Sequence, residues 1–387
     1  MFDKVLTTNL TNNTFSSNDV GLLLSNSSSN NIKDNNFDSN TVGLKINYSA
    51  QHNNIIANTI ITPITYTDAS GIELRGATVG NNTIENNTMY VHSCQHTGIL
   101  LDNTWGNSVS GNKLPNTWVT HPDCSDYGAK IGILVKNSHD NSLADNTVEG
   151  YFEAGIELLN STSTTMSWAN TASYAMQYGR LPDSRAIFLN SSNNNHLTSI
   201  AYAISGGYGS IFYLLNSNNN ILEGVAFGSA DGTAIYLKNS TDNTLNNLQQ
   251  IMSNANVAMK IEDSTGNTVQ NVGLVAENWQ GIGLLLQNSN YTTVDNTHAG
   301  CSSCTMMQNI PVELDNSFYN TISNVVLYGT KKGIYLVNSS GNTISGAQST
   351  DYWTSPLNGI ELQNSPDNII DNNNFLARDI GVMLNNS

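Results

Sequence analysis

The stretch Gly359-Ile360-Glu361-Leu362-Gln363-Asn364-Ser365-Pro366-Asp367-Asn368-Ile369-Ile370-Asp371-Asn372-Asn373-Asn374-Phe375 holds three short apolar beats separated by asparagine-rich corners. Ile360 and Leu362 alternate with polar residues, Ile369 follows one corner, and Phe375 follows another. Alternation over a few residues reads as a strand with one buried face. The pattern restarts at Gly381-Val382-Met383-Leu384-Asn385-Asn386-Ser387.

Most of the chain repeats this unit. The residues that close its first strand are Asn26, Tyr48, Gly76, Asn103, Asn137, Asn160, Asn190, Asn216, Asn239, Asp263, Asn288, Asn316, Asn338, Asn364 and Asn386, spaced 22 to 34 residues apart. Periods in this range indicate a solenoid or a propeller, and a propeller blade needs about 40 residues. A short unit with three beats instead fits one turn of a parallel β-helix. The second beat recurs as Asn31-Ile32, Asn54-Ile55, Asn82-Thr83-Ile84, Asn107-Ser108-Val109 and onward, and the third as Asn36-Phe37, Asn58-Thr59-Ile60 and Asn87-Thr88-Met89.

Stacked coils lie about 4.8 Å apart, so equivalent residues stand directly above one another. Inward Ile, Leu and Val then form apolar columns. Like charges at that spacing would repel, which favours neutral Asn, Ser and Thr. The chain carries 61 Asn in 387 residues. Asn tolerates the left-handed corner backbone, and its amide can donate to one neighbour while accepting from the other. The asparagines therefore read as structural ladders.

The expected fold is all-β: a single right-handed parallel β-helix over residues 1–387, a three-stranded solenoid of about fifteen coils with no end caps. Units lengthen mainly between the third strand and the next Gly, near 62–70, 90–97, 115–130, 167–184, 298–309 and 350–358. Sharing one coil position, these insertions should emerge on one edge, and in repeat proteins such an edge is often the binding face.

The motif Gly-Ile-x-Leu-x-Asn-Ser-x-x-Asn-x-Ile resembles the Asn-rich repeats of right-handed parallel β-helix proteins, in particular those of the periplasmic copper-site accessory and carbohydrate-binding/hydrolase type. It covers nearly all of the chain. The resemblance implies the fold and says little of function, because the fold hosts lyases, epimerases, phage spikes and surface proteins. Similar arrays are common in cell-surface proteins of methanogenic archaea, so the resemblance implies a sheath or envelope subunit. A copper role would want clustered Met or His, and Met306-Met307 beside Cys301 and Cys304 is the one such cluster.

Composition narrows the partners. The net charge of −16, with four Arg, argues against nucleic acid, whose phosphates need clustered cations. No run of 18 apolar residues offers a membrane-spanning helix. Asn-x-Ser/Thr sequons begin at Asn9, Asn12, Asn26, Asn47, Asn81, Asn86, Asn160, Asn190, Asn239, Asn290, Asn338 and Asn385. They suit an extracellular or cell-surface glycoprotein, although a chain this rich in Asn, Ser and Thr also makes sequons by chance.

Cys94 and Cys124 lie in neighbouring insertions, where a disulfide is geometrically reasonable, and Cys301-x-x-Cys304 suits a local or inter-subunit bridge. Trp118, His121, Tyr127, Trp168, Arg180, Asp183 and Trp353 also fall in or beside the insertions. They could meet a sugar, contact a neighbouring subunit, or pack their own loops onto the solenoid flank.

Catalytic signatures are sparse. Arg180 and Arg185 flank Asp183, near Glu149 and Glu153, which is the most lyase-like grouping. The Asn-Thr-Asp and Gly-His-Gly elements of polygalacturonases do not occur, nor does any Walker, His-Glu-x-x-His or EF-hand spacing. No catalytic residue, metal site or cofactor is expected.

The two ends share a phase. Asn9-Leu10 and Asn13-Thr14-Phe15 align with Asn31-Ile32 and Asn36-Phe37 at a 22-residue shift, so Val5 and Ser387 both correspond to Ser27. Two expectations follow: a fragment of a longer array, or subunits that stack end to end into a filament, hoop or sheath. The leading expectation is a self-associating envelope protein. The alternative is a carbohydrate-active enzyme or glycan-binding module that uses the insertion edge.

Overall fold

The computed structural model describes residues 2–63, 69–92, 96–115, 130–150, 153–167, 169–172, 185–200, 202–205, 209–225, 228–230, 232–253, 257–277, 281–300, 309–328, 331–349 and 356–387. The named regular elements are all β-strands. The chain is a right-handed parallel β-solenoid built from three-stranded coils. It divides into two compact units, Met1–Ala203 and Ile204–Ser387.

In the first unit, one face of each coil is a six-residue strand, including Val20–Ser25, Val42–Asn47, Ser70–Arg75, Thr97–Asp102, Ile131–Lys136, Ala154–Leu159 and Arg185–Asn190. These pair in parallel so that Leu22, Leu44, Ile72, Ile99, Ile133, Ile156 and Ile187 form one column. A second face stacks Ile32, Ile55, Ile84, Val109, Leu143, Met166 and Leu197. The third face begins with Phe15, Phe37, Ile60 and Met89, and the rings of Phe15 and Phe37 stack at 5.1 Å. From Leu22 and Ile32 onward these columns are buried. Each such aliphatic side chain contributes about 1.5–3 kcal/mol.

The second unit repeats the scheme. Leu237, Ile261, Leu286, Leu314, Leu336 and Leu362 stack on the first face. Leu222, Leu245, Val269, Val294, Ile322 and Ile344 stack on the second.

The motif's glycine serves close approach between coils. At Gly98, a Cβ would meet the Gly132 carbonyl oxygen at 2.5 Å and would overlap the Leu114 side chain. A larger residue there would push the first and third faces apart.

The corners separate two kinds of asparagine. The residues closing the first strand adopt left-handed backbone, as at Asn26 (φ 49°), Tyr48 (φ 56°), Asn160 (φ 49°) and Asn216 (φ 50°). The exception among the expected anchors is Asn190, which is still in its strand, paired with Leu159, while Ser191 takes the corner at φ 51°. Burial of Ile187 and Leu189 decides the register, because a one-residue slip would turn both outward.

The buried ladder consistently lies two residues before the apolar beat. It runs Asn30, Asn53, Asn82, Asn107, Asn141 on one corner and Asn35, Asn58, Asn87, Asn112, Asn146 on the next. Asn31, Asn36 and Asn54, quoted beside the apolar beats above, are strand residues and not rungs. A serine column accompanies the ladders. The backbone N–H of Ser240 donates to Ser264 Oγ, Ser264 to Ser289, Ser289 to Ser317, Ser317 to Ser339 and Ser339 to Ser365, at 3.0–3.2 Å.

Candidate ligand-binding cleft

In the second unit, two strands run on through a corner where most coils break. Thr244–Ser253 and Thr268–Ala276 each span positions that elsewhere form two three-residue strands. The pairing slips between Leu248 and Ile251, and Asn247 (φ 54°), Gln250 (φ 49°) and Asn271 (φ 55°) take left-handed backbone. Such bulges re-aim side chains and bend a strand, and they recur beside binding sites.

The distortion opens a cleft of about 460 Å³. Amides line it, from Asn247, Gln249, Gln250, Asn271 and Asn296, with the half-buried Val275, while Leu248, Val272 and Leu274 are buried in the core beneath. His298 and Tyr328 stand at the far side with ring centroids 6.4 Å apart. The amides form rungs: Asn271 Nδ2 donates to Asn246 Oδ1 at 2.9 Å, and Asn296 Nδ2 donates to Asn271 Oδ1 at 2.7 Å. An amide offers two N–H donors and two lone pairs, so the rungs retain capacity for a ligand.

Two glycines behave oppositely. Gly300 (φ 111°) is required by the fold, since a Cβ would overlap the Tyr328 carbonyl. Gly273, on the cleft floor, has room: a Cβ would meet Gln250 N at 3.4 Å and Leu248 O at 4.0 Å, ordinary contacts. Glycine inside a strand otherwise weakens it, and a common reason for it is the close approach of a ligand.

A second feature lies one corner away, at the other end of the second-face strands. Tyr291 and Tyr319 occupy equivalent corner positions on adjacent coils, both left-handed (φ 53° and 57°), with rings stacked at 5.4 Å. They are 62% and 58% exposed. A side chain in this conformation costs roughly 1–2 kcal/mol, and bulky residues seldom adopt it. The three-residue strand Thr293–Asp295 separates Tyr291 from the cleft residue Asn296.

Ionisable groups gather elsewhere, on the outer side of the first face. Glu262 meets Lys260 at 2.6 Å, Lys238 at 3.2 Å and the Tyr236 hydroxyl, and Tyr236 stacks on Tyr213 at 4.9 Å. Burial would raise the Glu262 pKa, but the bonds from Lys260, Tyr236 and Lys238 outweigh it and hold the carboxyl at about 2. This network is satisfied internally.

Burial raises Glu157, Glu153 adds to the shift, and Arg185 and Lys130 oppose it. Arg185 lies over the Phe188 ring at 4.4 Å, and Lys130 pairs with Glu153 at 3.6 Å. The lyase-like grouping is thus partly assembled, with Glu153 and Arg185 acting on Glu157 in the strand Ala154–Leu159. Its other members, Arg180 and Asp183, lie outside the described residues, as do Trp118, His121, Tyr127, Trp168, Trp353 and all four cysteines.

Of the sequon asparagines, Asn9, Asn12, Asn86, Asn160, Asn239, Asn338 and Asn385 are exposed, while Asn26, Asn47, Asn81, Asn190 and Asn290 are half-buried. Asn290 Oδ1 accepts the Phe318 N–H at 2.8 Å.

The stacked parallel coils and their asparagine and serine ladders define the class of right-handed parallel β-helix repeat proteins. Within it, the family model described as periplasmic copper-binding protein (NosD) matches residues 2–126, 81–201 and 292–387, and the chain belongs to that family. No curated protein sequence matches it.

Similar solved structures include the periplasmic alginate epimerase AlgG, at 9% identity and TM-score 0.38 over 85% of this chain and 77% of that one. Alginate lyase AlyF-OU02 matches at 11% identity and TM-score 0.44, covering 99% and 83%. Bacteriophage CBA120 tailspike protein 3 matches at 10% identity and TM-score 0.44, covering 89% and 54%. The family description names copper. Among the described residues, no group of three or more His, Cys, Asp or Glu could hold a metal ion, so those residues do not fit a copper centre. Cys301, Cys304, Met306 and Met307 lie outside them.

Proposed function

We propose that this protein is a β-helix of the cell envelope that binds glycan in the Asn247–Tyr328 cleft and does not cleave it. The observation that carries this reading is the cleft's composition. Five amides, a stacked His–Tyr pair and the half-buried Val275 beside a spare glycine line it, with no carboxylate, Lys or Arg among the described lining residues. Sugar hydroxyls suit amide donors and acceptors, and sugar ring faces suit aromatic rings. Glycoside hydrolysis generally requires a pair of carboxyl groups, which the described lining residues do not supply. The absence of fixed cations, together with the net charge of −16, favours an uncharged glycan over a polyanion. The periplasmic description of the family supports a site of action outside the cytoplasm.

Affinity electrophoresis through gels containing galactomannan, xyloglucan, dextran, pectin or alginate tests this reading. Retardation by at least one neutral polysaccharide is expected. Unchanged mobility in every gel would contradict the proposal.

A second reading is self-association by coil stacking. Val5 N donates to Ser27 Oγ at 3.1 Å, and Ser365 N donates to Ser387 Oγ at 2.9 Å, so the first and last described coils share one phase. Electron microscopy and sedimentation of native material distinguish polymer from monomer.

A further inference from the structure

We infer that Tyr291 and Tyr319 form a stacking platform for the ring faces of a long, uncharged polysaccharide, extending the binding surface beyond the cleft. This inference rests on the glycan-binding reading.

The corner column that holds the pair reads Asp242, Gly266, Tyr291, Tyr319, Gly341, Asp367, all with left-handed backbone. The equivalent corners of the first unit carry small or polar residues such as Ser29, His52, Asn81 and Asp140. Tyrosine is the costly choice there, and the structure takes it on two successive coils. The rings bury little against the solenoid. Tyr319 instead lies flat over Gly341, where a Cβ would come within 2.7 Å of its ring. The glycine thus lets the ring lie along the surface with one face toward Tyr291.

A purely structural pair would be expected to bury its rings. This one exposes them in a corner column whose adjacent rungs are Gly266 and Gly341 and whose next rungs outward, Asp242 and Asp367, are acidic, a setting without a cation to attract an anionic polymer. With Tyr319 held between Gly341 and Tyr291, the pair offers the outer side of Tyr291 and the exposed ring edges to sugar rings, whose C–H faces pack there while their hydroxyls stay hydrated. The second-face strand Thr293–Asp295 joins the platform at one of its ends to the Asn296 rung at the other, so one chain of sugars can cross that face from cleft to platform.

The test uses the full chain with Tyr291→Asn and Tyr319→Asn together, because Asn is the residue other corners use and it tolerates this backbone. Affinity for the polysaccharide that retards the wild type should fall about tenfold. Affinity for a tetrasaccharide of the same sugar, short enough for the cleft alone, should not change, and Tm should hold or rise. Tyr→Phe at both positions should keep polymer affinity.

Unchanged polymer affinity in the Asn variant, with loss in a cleft-blocked Gly273→Leu variant, would overturn the platform and leave the cleft reading standing. A change only in sedimentation would assign the pair to contact between copies and also overturn it. A wild type that binds no glycan would overturn both readings.

Discussion

Asn82 Oδ1 accepts two hydrogen bonds from Asn53, one from its backbone N–H at 3.0 Å and one from its side-chain Nδ2 at 3.0 Å. One acceptor thus fixes both the path of the preceding coil and the orientation of its rung. Asn53 repeats the arrangement toward Asn30, at 3.0 and 2.9 Å, and also donates to Ser27 O at 2.8 Å.

Because Asn53 is fully buried, its removal leaves buried donors and acceptors without partners, at about 1–3 kcal/mol each. Asn53→Ala should destabilise by about 2–5 kcal/mol in urea denaturation. Asn54→Ala, at an exposed strand position next door, should stay within about 0.5 kcal/mol. Equal effects at the two positions would remove the ladder from the account.

This contrast also marks how far the sequence could be read. The three beats, the corner asparagines and the columns of Ile and Leu are visible because each repeats at the coil period. Which of two adjacent asparagines is the rung is not visible from Asn31-Ile32 alone. It emerges when Asn30 and Asn82 stand in register, two residues before Ile32 and Ile84. Asn190 misleads for the same reason: identity suggests a corner, whereas the burial of Leu189 places the corner at Ser191.

The cleft was hidden because it is a break in the repeat. Residues 244–253 carry no Asn-led third beat, and Gln249-Gln250 and Gly273 were the available signals. Tyr291 is the middle residue of the Asn290 sequon, a motif that carries no sign of its corner position.

The two cleft glycines should separate under mutation. Gly300→Ala places a methyl group onto the Tyr328 carbonyl and strains a φ of 111°, so it should lower stability by at least about 2 kcal/mol. Gly273→Ala meets ordinary contacts and should be neutral or slightly stabilising, by about 0.4–1 kcal/mol. Thermal melts of both variants check this.

The carboxylates should respond to pH with opposite signs. Glu262 is held at about 2 in the fold, below the ordinary value of about 4.3. Its stabilising effect is present above the ordinary value and disappears as pH falls toward 2. Half-buried on the outer side of the first face, where solvent still screens the pair, Glu262→Gln should cost at most about 1 kcal/mol at pH 7, with the difference vanishing near pH 2.

Glu313 is raised by burial and by Asp315, against Lys332 and Lys331. A raised acid favours the protonated fold, so its penalty appears as pH rises above the ordinary carboxyl range. Glu313→Gln should therefore raise the melting temperature at pH 7.5 and leave it unchanged at pH 3.5. The same change at both pH values would refute the assignment.

The most direct test of the account is a calorimetric titration of wild type and Gly273→Leu with the neutral polysaccharide that best retards the protein. The leucine fills the cleft floor at a position where the backbone has space for a Cβ. The account predicts at least a tenfold loss of affinity with an unchanged circular dichroism spectrum and melting temperature. Equal affinity in the folded variant would contradict binding in the cleft.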